Sequence, residues 1–205
     1  MSETASFDAG FPLYEKLVLA NAGVSDRDHI EDGIKLLTRF KGHVKKELVH
    51  VPSIGRYFEA LIFVLDAYSS SESVKLVLLA HSSLCYLVKR VVMQAPSFFG
   101  DLKSVENITI HLFMFDGNEA FDGKNFWVSS VKAFEAIYLL QPDIAMDCIL
   151  KLVETAERNR NPHRLMKALL LIDEFLKIMK KNKSLDQSFN KVLIERMTNI
   201  LNTSR

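Results

Sequence analysis

Cysteine, proline and tryptophan are all scarce in this 205-residue chain, at two, five and one. Cys85 and Cys148 each lie within an apolar stretch at helical spacing, so they read as buried free thiols and not as a disulfide framework. That usage places the chain in a reducing compartment, cytoplasm or nucleus. Charge of one sign is lacking too: 26 lysines and arginines face 25 aspartates and glutamates, for a net charge of +1. No global field therefore draws the chain to nucleic acid or to an anionic membrane. No run reaches the roughly 18 uninterrupted apolar residues of a membrane-spanning helix. The opening MSETASFDAG has no basic segment leading into an apolar one, and no signal peptide is expected.

Catalytic signatures are also missing. There is no glycine-rich phosphate loop, no GxSxG elbow and no HExxH pair. His81 stands beside Ser82 and Ser83, but inside the most apolar helix of the chain, where a hydrogen-bonded core histidine is the expected reading. Cys85 shares that setting and is expected to be inert, because reactive thiols need exposed, electropositive surroundings. His43 and His50 have only Glu47 near them in sequence, which is a poor start for a zinc site. The sequence predicts a protein without catalysis, cofactor or metal.

What the chain does have is helical periodicity. Apolar residues recur at helical spacing in eight successive stretches, which fall into pairs of about 40 residues, the signature of a helical-repeat solenoid. Residues 1–10 read as disordered, and Phe11 to Ala20 as a short docking helix, so the folded domain is taken as 11–205. Ser25 caps the next helix, whose inner face carries Ile30, Ile34, Leu37 and Phe40, and Gly42 weakens its end. Its partner spans about Ser53 to Tyr68, with Ile54, Phe58, Leu61, Ile62 and Leu65 inward. The helix from about Ser73 to Gln94 is apolar nearly all round, through Val74, Val77, Leu78, His81, Leu84, Cys85, Val88 and Val91. Further helices follow at about Leu102–Phe115, Phe126–Leu140 and Ile144–Arg158. Asn161-Pro162 then opens a seventh with a cap residue and a proline at the first helical position. An eighth runs from Gln187 to about Asn202. No strand is expected, and the fold class is an all-α solenoid of about four antiparallel helix pairs plus the short N-terminal helix.

Three segments, LLTRFKGHVKKELV (Leu36–Val49), HSSLCYLVKRVVMQ (His81–Gln94) and FWVSSVKAFEAIYLLQP (Phe126–Pro142), resemble the N-terminal domain of fungal CLASP proteins, and FPLY at Phe11–Tyr14 fits the same match. The resemblance covers most of the chain from Phe11 onward. It implies a TOG-like domain, a paddle of HEAT repeats whose loops inside each helix pair line a tubulin-binding edge. It also implies a microtubule-associated protein of the spindle, kinetochore and cytoskeleton. The domain itself would be monomeric, within a longer protein that dimerises through other parts.

In this chain the edge inside the pairs contains Lys41 to Val51, Gln94 to Asp101, Gln141 to Asp143 and Lys180 to Gln187. Lys41, Lys45 and Lys46 lie at one end, and Lys180, Lys181 and Lys183 at the other, diluted by Glu47, Asp101, Asp143 and Asp186. The opposite edge, with Asp66, Glu72, Asp116, Glu119 and Asp122, leans acidic. Tubulin is acidic, so the basic edge suits it. Lysines near helix ends also complement the helix dipole without any partner. The family places a tryptophan in the first loop of this edge, whereas Trp127 here opens the fifth helix of the set and is expected to pack against a neighbouring repeat. The first loop offers Phe40 and Val44 instead, and the second offers Phe98 beside Phe99. The candidate partner-binding residues are therefore Phe40, Lys41, Val44, Lys45, Lys46, Phe98, Lys180, Lys181 and Lys183. The alternative is a kinetochore or spindle adaptor with little affinity for tubulin, using a helical face such as that around Lys132 and Glu135.

Overall fold

The computed structural model describes residues 27–46, 49–67, 74–113, 124–182 and the single positions 191, 194, 195 and 198. The expected disordered N-terminus, the short helix at Phe11 to Ala20 and nearly all of the eighth helix lie outside the described residues. Seven helices are described: α1 (Arg27–Lys46), α2 (Ile54–Ala67), α3 (Val74–Gln94), α4 (Leu102–Phe113), α5 (Lys124–Leu140), α6 (Pro142–Arg158) and α7 (Pro162–Lys181). Short 3-10 turns at Val51–Ser53 and Pro96–Gly100 lead into α2 and α4. Among the described residues there is no strand.

The termini follow the local chemistry of the sequence. The Asn161 side chain accepts a hydrogen bond from the Arg164 amide at 3.0 Å, satisfying one first-turn donor of α7, with Pro162 behind it. Asp101 plays the same part for α4, accepting from the Ser104 amide at 2.9 Å and from its hydroxyl at 2.8 Å. These bonds favour the carboxylate and hold its pKa below the usual value. The sixth helix starts at Pro142, two residues before the expected Ile144, so Gln141 alone separates α5 from α6 and the expected loop from Gln141 to Asp143 shrinks to one residue. The first helix continues through Gly42 to Lys46, so the first part of the expected loop from Lys41 to Val51 is helical.

Helices α1, α3, α5 and α7 pack side by side in one layer, and α2, α4 and α6 form the other. Each pair is antiparallel, so the helices of one layer are parallel. Hydrogen bonds between successive pairs fix their register. Arg90 reaches Val44 and Lys45, His111 reaches Asp66, Lys151 reaches Glu106, and Lys181 reaches Glu135, always across 45 or 46 residues. The interval bridged is somewhat longer than the 40 residues expected. An aromatic series continues the packing across the repeats. Phe113 meets Trp127 edge-on at 5.2 Å and Phe134 at 5.8 Å, while Phe134 and Tyr138 both meet Phe175.

Helix α3 has the length and apolarity of a membrane span, yet it lies between α1, α2 and α5 as a core helix. It is not covered all round, because Leu78 and Met93 face outward at 38% and 69% exposure. His81 is buried, with Nε2 3.0 Å from the Ser130 hydroxyl and its ring stacked on Phe126 at 3.5 Å. The Ser130 hydroxyl donates to the Leu112 carbonyl at 2.8 Å, leaving Nε2–H as the donor to Ser130. One buried triad thus ties α3, α4 and α5 together.

Candidate partner-binding edge

Because α1, α3, α5 and α7 are parallel, their C-terminal ends lie along one edge with the loops inside each pair. The first repeat brings Lys41, Lys45 and Lys46 there from the last turns of α1. Lys45 and Lys46 are exposed and Lys41 is half-buried. The ammonium groups of Lys45, Lys41 and Lys89 stand 4.5, 5.8 and 5.8 Å from the ring centre of Tyr86, a half-buried residue of α3. Cation–π attraction orients these chains at little cost in hydration. At the far end, Lys180 and Lys181 are exposed in the last turn of α7. Lys181 pairs with Glu135 at 3.0 Å, with its own side chain 72% exposed, so the bond is weak and exchangeable. Lys183 lies outside the described residues.

Two of the expected contact residues are core residues. Phe40 has 0% exposure and packs edge-on against Tyr57 at 5.2 Å, and Val44 has 1%. The physical reason is the continuation of α1 through Gly42. A helix keeps residues 37, 40 and 44 on one face, and in α1 that face is buried. Neither side chain can meet a partner without opening the first repeat. Phe98 is half-buried, stacked on Phe58 at 5.1 Å, while Phe99 is fully buried. Trp127 packs against Phe113, between repeats and not at the edge.

The acidic residues of this edge are partly engaged, since Asp101 caps α4. On the opposite edge Asp66 bonds His111 Nε2 at 3.0 Å, and His111 Nδ1 meets the Asn107 carbonyl at 2.7 Å. Glu72, Asp116, Glu119 and Asp122 fall outside the described residues.

The reactive residue types are held in inert states. Cys85 Sγ lies 3.8 Å from His81 Nε2, a pairing that in a thiol enzyme would be a thiolate and an imidazolium. Burial pushes the Cys85 thiol up to about 12 and the His81 imidazolium down to about 3, so both are neutral near pH 7. Among the described residues, no three His, Cys, Asp or Glu side chains converge as a metal site.

Sequence reasoning missed two edge residues. Met93 and Leu139, the next-to-last residues of α3 and α5, are 69% and 59% exposed. The signal was in the helical wheel: Met93 lies about 200° around α3 from buried Val91.

No protein-family model matches the chain, and no solved structure matches it. Two curated relatives do. Protein STU1 of Eremothecium gossypii is 36% identical over 171 residues, covering 83% of this chain and 11% of the relative. Protein STU1 of Kluyveromyces lactis is 39% identical over 159 residues, covering 74% of this chain and 11% of the relative. The chain thus spans only about a ninth of the length of the relatives it matches. Similarity at this level across most of the chain, on an α-solenoid of paired helices, agrees with the resemblance carried by its edge segments: the chain belongs to the Stu1-like fungal CLASP family.

Proposed function

We propose that this chain is a protein-binding module of a microtubule-associated CLASP, and that it engages tubulin through the edge formed by the loops inside its helix pairs. The observation that carries this reading is the placement of Lys41, Lys45 and Lys46 at one end of an edge and of Lys180 and Lys181 at its other end, in the last turns of α1 and α7. Two basic clusters separated by the width of the solenoid suit an acidic protein surface, steering its approach and adding ion pairs at the rim. The work is binding, with no chemistry on the partner. Spindle and cytoskeletal localisation, in cytoplasm and nucleus, follows from the same reading.

A test is the affinity for unpolymerised tubulin as a function of salt. Contacts by exposed lysines weaken as the Debye length falls to about 8 Å at physiological ionic strength and below. Binding that tightens at low salt, and that loses this dependence in Lys45→Glu/Lys46→Glu, supports the tubulin edge. Salt-independent binding, or binding untouched by the charge reversal, contradicts it.

A second reading is favoured by one observation. Phe40, which the first loop offers in place of the family's tryptophan, is buried in the core, and Trp127 packs between repeats. An edge without that anchor suits a kinetochore or spindle adaptor whose partner is another protein. The exposed outer face of α5 around Lys132 is then the surface to mutate.

A further inference from the structure

We infer that Lys41, Lys45 and Lys89, gathered around the Tyr86 ring, form a binding site for a phosphorylated serine or threonine side chain of a partner protein. The inference goes beyond the tubulin reading and does not depend on it. The three ammonium groups come from two helices, Lys41 and Lys45 from α1 and Lys89 from α3. Each stands within 5.8 Å of the centre of one ring, so any two lie within twice that distance of each other. Lys41 and Lys45 are like charges one turn apart, an arrangement that destabilises a helix, and Lys89 adds a third. Other lysines meet carboxylates, as Lys177 does at Asp173 at 2.7 Å and Lys181 at Glu135 at 3.0 Å. Among the described residues no carboxylate pairs with Lys41, Lys45 or Lys89. Helix α3 has no aspartate or glutamate in its 21 residues. One aromatic ring offsets only part of the mutual repulsion. An anion set among the three ammonium groups is attracted by all of them.

The framework beneath is fixed. Arg90 bonds the Val44 and Lys45 carbonyls at 3.0 and 2.6 Å, and Gln94 Oε1 accepts the Val49 amide at 2.9 Å. These bonds hold α1 against α3 and leave Arg90 committed, so the site works through its lysines. A phosphate monoester carries nearly two negative charges at neutral pH and three acceptor oxygens, one for each ammonium. Lysine serves such a group as a point charge. A single carboxylate offers half the charge and one oxygen fewer. Lys45 is exposed, and Lys41, Lys89 and Tyr86 are half-buried, so the cluster opens outward and does not enclose a free ion. That openness suits a phosphate carried on a peptide chain. Nucleic acid calls for basic groups continuing along its backbone. One and two turns back from Tyr86, α3 instead presents Ser82 and Leu78.

The test titrates the full chain, labelled with nitrogen-15, with glycine-flanked peptides whose central residue is phosphoserine, glutamate or serine. Inorganic phosphate and phosphatidylcholine vesicles containing a phosphoinositide are run alongside. The phosphoserine peptide is expected to bind about tenfold more tightly than the glutamate peptide and to shift the signals of Lys41, Lys45 and Lys89. Lys41→Gln/Lys89→Gln is expected to raise its Kd about tenfold, while Lys103→Gln, at an exposed position of α4, leaves Kd within about twofold. Circular dichroism checks the helix content of both variants, and the comparison of peptides needs only the wild-type chain. Equal affinity for the phosphoserine and glutamate peptides overturns the inference, as does binding that survives Lys41→Gln/Lys89→Gln. Binding of inorganic phosphate or of the vesicles, without binding of the phosphoserine peptide, also overturns it by assigning the cluster to a free anion or a lipid headgroup. None of the probes contains tubulin, so these outcomes stand whether or not the chain binds tubulin.

Discussion

Arg90 clasps the end of the preceding repeat at Lys45: its Nη2 donates to the Lys45 carbonyl at 2.6 Å while its Nε donates to the Val44 carbonyl at 3.0 Å. The last carbonyls of a helix have no partner within it, and a guanidinium satisfies two at once while complementing the negative end of the dipole. This bond sets the height of α1 against α3 and thereby places Lys45 beside Tyr86. Arg90→Ala is expected to cost about 1–2 kcal/mol of stability in chemical denaturation. Arg90→Lys is expected to recover only part of it, since an ammonium lacks the planar fork.

Gly42 sits inside α1, and a Cβ built there meets nothing within 4 Å. Glycine in a helix interior leaves the unfolded chain more freedom than alanine does, at a cost of about 0.5–1 kcal/mol. Gly42→Ala is expected to stabilise the domain by that amount, read as a raised denaturation midpoint. No change, or a loss, would mean that α1 does not persist through this position in solution.

The buried His81 makes the fold acid-sensitive. Its folded-state pKa is lowered from 6.5 to about 3, chiefly by desolvation, with the hydrogen bond to Leu112 opposing. The unfolded chain therefore binds a proton between these values that the native state refuses. Stability is complete above about pH 6.5 and falls as pH drops through the window toward 3, by up to roughly 1.4 kcal/mol per pH unit. His81→Phe is expected to flatten the part of this slope between about pH 6 and 4.5, above the range where most carboxylates titrate. Denaturation midpoints across that range read it directly.

Both thiols are pushed up to about 12, Cys85 and Cys148 alike mainly by burial. Native protein at pH 8 is therefore expected to resist iodoacetamide, and to gain two modified cysteines only when denatured. Rapid labelling of the native chain at Cys85 would contradict its place in the α3 core.

The helices were legible because apolar periodicity records which face is buried, and the Asn161-Pro162 start and the core role of His81 were legible from local chemistry alone. The edge was harder to read. Gly42 and the lysines around it look like a loop, but the cost of one glycine is small beside the burial of Phe40 and Val44, and packing carried the helix onward. Met93 and Leu139 were hidden for the opposite reason. Each ends an apolar run, and only its angle from the buried stripe, together with the neighbouring repeat, reveals an outward side chain. Trp127 was correctly expected to pack between repeats, since it lies within an apolar helix and not in a loop.

The central claim is that this edge holds tubulin. The most direct measurement is size-exclusion chromatography with light scattering of the domain mixed with unpolymerised tubulin at low salt. The account predicts a co-eluting one-to-one complex that Lys45→Glu/Lys46→Glu destroys. Separate elution of the two proteins at concentrations of tens of micromolar would contradict it and leave the kinetochore or spindle adaptor as the function to pursue.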